Sequence, residues 1–291
     1  MTQYALFPED RNAVVNVAKV PQRSPFRYPG GKTWLVPRIR LWMHSLSLRP
    51  ADFIEPFAGG GIVGLTIAFE NYADHVTFVE RDEQVAAVWG TILGSDGRWL
   101  ADAVASFDLS YESARKVIDS RPRSNRQLAF QTILKNRIYH GGILADGSGM
   151  LKNGENGRGI YSRWYPDTLK KRILAIQAVK ERIDFIEGDG IEVMKRNSRR
   201  TDVVYFIDPP YTAGGKRAGR RLYRYSEVDH AELFRVARQV KGDCLLTYDD
   251  APEVRELAIR YDFEIKLVAM KNTHHAKMTE LLIGKDLSWI P

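Results

Sequence analysis

The sequence predicts an α/β fold of the Rossmann-like, doubly wound kind, a mainly parallel sheet with helices on both faces. Three observations carry this. Short apolar runs alternate with stretches whose apolar residues recur at helical spacing, the rhythm of strand–helix–strand units. Two of the runs end in turns suited to ligands, a triple glycine at 59–61 and Asp208-Pro209-Pro210-Tyr211. A third run ends in an acid about 20 residues after the glycines, the spacing at which such folds hold a ribose hydroxyl.

In chain order, the first strand is Phe53–Glu55, inside Asp52-Phe53-Ile54-Glu55-Pro56-Phe57-Ala58-Gly59-Gly60-Gly61. A helix through Ile67 and Phe69 follows. Glycines here let the backbone approach a ligand closely and leave free amides at a helix N-terminus. The spacing is not GxGxxG, and no Walker lysine follows Gly61, so a neutral or zwitterionic cofactor suits the loop better than a phosphate. A tight strand–helix turn explains one or two glycines but not readily three. Phe57, Ala58, Gly59, Gly60 and Gly61 are therefore candidates for cofactor binding. The second strand, Val76–Glu80, places Glu80 at its end as a ribose ligand, while Asp82 suits the cap of a helix starting near Gln84.

The interval from Gly94 to Pro166 breaks this rhythm. Its first part, through Leu100, Val104, Val117 and Ile118, reads as helical and basic. Leu128, Phe130, Ile133, Leu134 and Ile138 then form one buried helical face, which runs into Tyr139-His140-Gly141-Gly142. Ile143 to Trp164 is rich in Gly, Asn, Lys and Arg, with Tyr161, Trp164 and Tyr165 interleaved. That composition suits a basic loop or hairpin entering a DNA groove, with an ordinary surface loop as the alternative.

The strand rhythm resumes with a helix through Leu169, Ile173, Ile176, Val179 and Ile183, capped by Asp167 or Thr168. Phe185–Glu187 is the next strand and ends at Gly188-Asp189-Gly190, making Asp189 a further cofactor candidate. Val203–Ile207 is a continuous apolar run, as expected of a buried parallel strand, and it delivers Asp208-Pro209-Pro210-Tyr211 to its carboxyl end. Those residue types suit one task. The Asp208 carboxylate and a carbonyl held by the stiff Pro209-Pro210 pair can accept both hydrogens of an aromatic amine, and the Tyr211 ring can stack on the base. A strand and turn alone would also use Asp and Pro. The cluster Lys216, Arg217, Arg220, Arg221 and Arg224 follows; beside a base-binding site it suits phosphate contacts. Asp229-His230-Ala231-Glu232 opens another helix in the manner of a capping box. Cys244–Tyr248, Glu264–Met270 and Glu280–Ile283 are the last strands. The final two lack a helical crossover and should pair antiparallel. His274-His275 has no partner ligands at useful spacing, and no metal is expected.

Composition agrees with a polyanionic partner: 291 residues, 44% hydrophobic, net charge +7 and a pI near 9.4. Cys244, the only cysteine, excludes an intramolecular disulfide and suits a reducing cytoplasm. No signal peptide or membrane-spanning run is evident.

Tyr28-Pro29-Gly30-Gly31-Lys32, then Glu55-Pro56-Phe57-Ala58-Gly59-Gly60-Gly61, then Asp208-Pro209-Pro210-Tyr211, resemble in this order the Dam-like class of DNA adenine-N6 methyltransferases, α-type. The resemblance spans roughly residues 24–284. It implies a Rossmann-like methyltransferase sheet with a terminal antiparallel hairpin, a catalytic domain at 24–93 and 167–291, a mostly helical target-recognition insert at 94–166, and an N-terminal extension at 1–23 with no counterpart. It also implies S-adenosyl-L-methionine as methyl donor and double-stranded DNA as partner, in a bacterial or phage-encoded cytoplasmic enzyme. Tyr28 and Lys32 would contact the cofactor, with Lys32 near its carboxylate and Asp208 touching its amine. Asn136 and Arg137 match a segment bordering the DNA-reading hairpin; Tyr139, Lys152 and Arg158 join them as DNA-contact candidates. The hairpin does not match members that read GATC. The alternatives are a methyltransferase acting on another amine, such as cytosine N4 or RNA adenine, and a catalytically silent DNA-binding module.

Overall fold

The computed structural model describes residues 19–28, 30–210, 227–271 and 277–290. Among them, seven strands form one sheet in the order β3-β2-β1-β4-β5-β7-β6. The strands are β1 Asp52–Glu55, β2 His75–Glu80, β3 Ile183–Glu187, β4 Val203–Ile207, β5 Asp243–Asp249, β6 Glu264–Lys271 and β7 Lys277–Gly284. The first five are mutually parallel. Strand β7 runs antiparallel between β5 and β6. This is the Rossmann-like methyltransferase sheet that was expected, with its closing antiparallel hairpin.

The doubly wound character follows from the period-2 alternation of a fully buried strand. On β4, Val204 and Phe206 join the core on one face, while Val203, Tyr205 and Ile207 join the core on the other. The first face is covered by α1 (Val36–Ser45), α2 (Ile62–Glu70), α3 (Glu83–Leu93) and α7 (Pro166–Gln177). The second is covered by α8 (Gly190–Arg196), α9 (His230–Gln239) and α10 (Pro252–Arg260). Phe206, 1% exposed, is well placed to report the core: truncation to Ala should cost about 3–5 kcal/mol.

Helices α4 (Gly97–Ser106), α5 (Tyr111–Asp119) and α6 (Asn125–Ile138) lie in the first part of the 94–166 interval. Leu100, Val104, Ile133, Leu134 and Ile138 are buried in the same cluster as α3 and α7, so these helices share the core of the sheet's first face. Capping is mostly as the sequence suggested: Asp82 accepts from Gln84 N, and Asp229 accepts from Glu232 N. The expected cap of α7 is different. Pro166 occupies its first turn and neither Asp167 nor Thr168 caps it, and the proline has no N–H there that would need an acceptor. Ile183 likewise belongs to β3 rather than to that helix. Cys244 is a buried free thiol, pushed by burial up to about 12, and so is unreactive. Among the described residues no helix is long and apolar enough to cross a membrane.

Candidate active site

At the carboxyl ends of β1, β2 and β4 the chain encloses a cavity of about 240 Å³. Its wall includes Tyr28, Lys32, Phe57–Gly61, Glu80, Asp189, Asp208 and Pro210, which the sequence singled out at five separate places. Parallel strands carry their loops to this edge, where two neighbouring connections part and leave a crevice.

The glycine turn is tied to its surroundings by hydrogen bonds and closed by one of its own. Ala58 N donates to Val79 O at 2.9 Å, Gly61 N donates to Ala58 O at 2.7 Å, and Trp89 Nε1 donates to Gly59 O at 2.9 Å. Gly61 is left-handed (φ 61°), and a Cβ there would lie 2.8 Å from the Trp89 ring. Close approach therefore explains this glycine. Tyr28 lies against Gly59 and Gly60, close enough that a Cβ on Gly59 would meet its ring at 2.7 Å.

Glu80 is tied to the same turn. Its Oε2 accepts from Gly59 N at 2.9 Å, and its Oε1 accepts from Arg81 N and Asp82 N at 2.8 and 2.9 Å. Three of the roughly four acceptor sites of a carboxylate are thereby used, leaving capacity for a ligand hydroxyl. Burial outweighs these hydrogen bonds and raises the carboxyl to about 7. Asp189 uses its Oδ1 to cap α8, accepting from Ile191 N and Glu192 N.

Strand β4 delivers Asp208, and two neighbours fix it. Lys32 Nζ and Thr247 Oγ1 both reach Asp208 Oδ1, at 2.9 and 2.8 Å. Lys32 is 2% exposed; it also donates to Gly30 O at 2.9 Å and lies 3.6 Å from Glu280 Oε2. Burial lowers the Lys32 pKa, but Asp208, Glu280 and Asp249 outweigh it and the net shift is upward. Burial raises Glu280 to about 7 and lifts Glu55, whose Oε2 accepts from Gly64 N at 2.9 Å, well above the ordinary range. Lys32, expected beside a cofactor carboxylate, is thus held by carboxylates of the chain itself and joins the Gly30 turn to the end of β4.

The DNA-contact candidates separate into three groups. Asn136 and Arg137 are 0% and 5% exposed, which corrects the expectation that they touch DNA. Asn136 accepts from Arg27 N at 2.8 Å and donates to Arg27 O and Gly142 O at 2.9 and 2.8 Å; Arg137 donates to Pro25 O. Both side chains are used inside the protein, fixing the strip that carries Tyr28. Tyr139 is half-buried, whereas Lys152 and Arg158 are exposed. Tyr211 and the cluster Lys216, Arg217, Arg220 and Arg221 lie outside the described residues, as do Arg224, Pro29 and His274-His275. Pro209 is buried behind Asp208.

Sequence reasoning missed Thr247 and Glu280. Both reach the site through strand pairing at the far end of the chain, which local pattern does not reveal. It also missed Gly142, Leu144 and Ala145, which line the cavity because Asn136 grips their loop.

A sequence model of the D12 class N6 adenine-specific DNA methyltransferases matches residues 28–74, which hold Lys32, the glycine turn and β1. No curated protein matches the chain by sequence. Among solved structures, the chain is similar to the rRNA methyltransferase aviRa from Streptomyces viridochromogenes (11% identity, 97% of each chain covered, TM-score 0.41). It is also similar to the precorrin-6y C5,15-methyltransferase from Geobacter metallireducens (11% identity, 95% of this chain and 93% of that one, TM-score 0.35). A third is the B. subtilis M1A22 tRNA methyltransferase TrmK (11% identity, 85% and 64% covered, TM-score 0.36). None of these similarities assigns a substrate. The sheet and the matched segment together imply S-adenosylmethionine as methyl donor. The residues present fit it: a glycine turn open to the cavity, an acceptor at Glu80, and the Asp208 carboxylate on the cavity wall, suited to a cationic sulfonium.

Proposed function

We propose that the chain is an adenine-N6 DNA methyltransferase that acts on an adenine flipped out of duplex DNA. One observation carries this reading. Asp208, at the end of β4, is fixed by Lys32 and Thr247 in the same cavity as the glycine turn and Glu80. Donor site and amine-orienting site are thus side by side. The methyl donor supplies an activated methyl group, so the chain needs neither a nucleophile nor an acid of its own to break that bond.

What the chain does is position. The glycine turn, Tyr28 and Glu80 hold the donor. A stacked adenine cannot reach the cavity, so the base is extruded. Asp208 and the Pro209 carbonyl accept the two amine hydrogens and turn the nitrogen lone pair out of ring conjugation, and Tyr211 stacks on the base. Lys32 and Thr247 hold the Asp208 carboxylate in one orientation. Orientation and electrostatics of this kind provide the rate. The exposed Lys152 and Arg158 of the 94–166 target-recognition region supply charge for the duplex, and the basic composition of Lys216, Arg217, Arg220 and Arg221 suits phosphate contacts.

The test is transfer of labelled methyl from the donor to duplex DNA, with digestion to nucleosides. N6-methyladenine in DNA supports the reading. Product only in RNA, or only at cytosine N4, would replace the substrate while keeping the site. Donor binding with no transfer to any nucleic acid would overturn it.

A further inference from the structure

Glu280 enters the site from β7 and is 4% exposed. Among the described residues its Oε2 is buried without a hydrogen bond, since Lys32 Nζ stands 3.6 Å away, outside bonding reach. Asp249 of β5 is directly opposite Glu280 across the ladder, so two carboxyls share one face of the sheet side by side. On the other side Val268 of β6 is opposite Glu280 and buried, and Lys266, next along that face, is exposed. A carboxylate oxygen buried without a donor and set beside a like charge is costly, and a proton on Glu280 removes that cost. Its carboxyl is accordingly raised to about 7 by burial, with Lys32 opposing the rise and Asp208 and Asp249 adding to it. Behind Asp208, Glu55 and the Tyr248 phenol also feel its charge. Lys32 joins the protonated carboxyl to the cavity: its Nζ reaches Asp208 Oδ1 at 2.9 Å, and Lys32 and Asp208 both belong to the cavity wall.

We infer that Glu280, acting through Lys32 and Asp208, exchanges its proton for the positive charge of the methyl donor and recovers a proton when the methyl group is transferred. With the cavity empty, Glu280 is protonated and Lys32 rests on Asp208. A sulfonium beside Asp208 competes with Lys32 for that carboxylate. Lys32 then turns to Glu280 and favours its ionised form, and the proton leaves past half-buried Asp249 to solvent. The cavity accepts a cation with no net gain of charge. Methyl transfer reverses the exchange. The carbon–nitrogen bond forms from the nitrogen lone pair, the carbon–sulfur pair stays on sulfur, and the positive charge passes to the methylated amine. Its N–H bond then breaks with the electron pair left on nitrogen, and Asp208 takes the proton. Asp208 returns it to Lys32 as Lys32 gives one of its own to Glu280. Lys32 ends as an ammonium and Asp208 as a carboxylate, so the charge of the empty cavity is restored. Glu280 itself touches neither donor nor base. This inference rests on the methyl-transfer reading given above.

The test is calorimetry on the full chain in two buffers of different ionisation enthalpy, which counts protons released on binding. S-adenosylmethionine is compared with S-adenosylhomocysteine, which has the same ribose but a neutral sulfur. The comparison cancels Glu80, whose carboxyl is also raised to about 7. At about pH 6.5 the sulfonium ligand should release roughly half a proton or more beyond the neutral one, and its relative affinity should rise with pH up to about 8. Glu280→Gln should remove both effects, and Glu55→Gln should keep them. Infrared difference spectra of wild type labelled with 13C-glutamate need no variant: a protonated glutamate band should disappear with the sulfonium ligand and persist with the neutral one. In single turnovers with a pH indicator, wild type should release its proton at donor binding, and Glu280→Gln at methyl transfer. Equal release with the two ligands, a retained infrared band, or a release that survives in Glu280→Gln would each overturn the inference. If no nucleic acid accepts the methyl group, the functional reading fails by itself, and the calorimetry still decides the proton exchange.

Discussion

Asp208 receives a charged donor and a neutral donor on one oxygen, and the two make different demands on a variant. Asp208→Ala should abolish methyl transfer, but it also leaves the buried Lys32 ammonium short of a partner, a loss of up to about 3–5 kcal/mol. Asp208→Asn keeps the shape and should lower kcat at least 100-fold with a much smaller drop in Tm; near-wild-type turnover would remove Asp208 from the chemistry. Thr247→Val deletes only the neutral donor. A hydrogen bond to a charged group contributes about 1.5–3 kcal/mol, so kcat should fall roughly tenfold or more while donor affinity stays unchanged. Glu280 gives a pH signature. Its carboxyl is raised from 4.5 to about 7 in the native state. Between those values the folded chain holds a proton that the unfolded chain has lost, so stability falls as pH rises from about 4.5 to 7 and levels off above. The share of one such carboxyl is on the order of 3 kcal/mol. Glu280→Gln should flatten that fall in denaturant titrations at pH 5 and 7.5, and an unchanged fall would assign the proton to Glu80 or Glu55.

Among the elements, α6 has a role the sequence hid. Its apolar face was legible from Ile133, Leu134 and Ile138, which are all buried. Asn136 and Arg137 lie between those residues in a basic stretch and look like surface contacts, because nothing local reveals that their partners are the carbonyls of residues 25 and 27. The strands were legible for the opposite reason: each is a short apolar run bounded by a turn signal, and the parallel ones need only their own sequence to be recognised. Asp208, Glu80 and the glycine turn share that advantage, since each sits directly at a strand end. Thr247 and Glu280 do not, being strand residues whose importance comes only from pairing. Asn136→Ala should therefore lower donor affinity, because it releases the strip that sets Tyr28 on Gly59, and it should leave the salt dependence of duplex binding unchanged. A variant with normal donor affinity and a changed salt slope would return Asn136 to a direct DNA role.

For the whole molecule, the +7 charge is divided between buried and exposed roles. Lys32 and Arg137 are internal, whereas Lys152 and Arg158 face outward on the region outside the sheet. Lys152→Ala with Arg158→Ala should reduce duplex affinity while donor binding and Tm stay as in wild type; a fall in donor affinity would mean that this loop supports the cavity instead. The position of β7 has a consequence for how the protein comes into being. Among the described strands it is made after the other six, yet it lies between β5 and β6 and brings Glu280 to Lys32. A nascent chain still lacking residues 277–284 has every earlier strand available, but β5 has an open edge and Lys32 has only part of its counter-charge. The cavity around Lys32 and Asp208 is therefore completed only once β7 has been made, and a ribosome-bound chain arrested before β7 emerges should be unable to hold the donor as the released protein does.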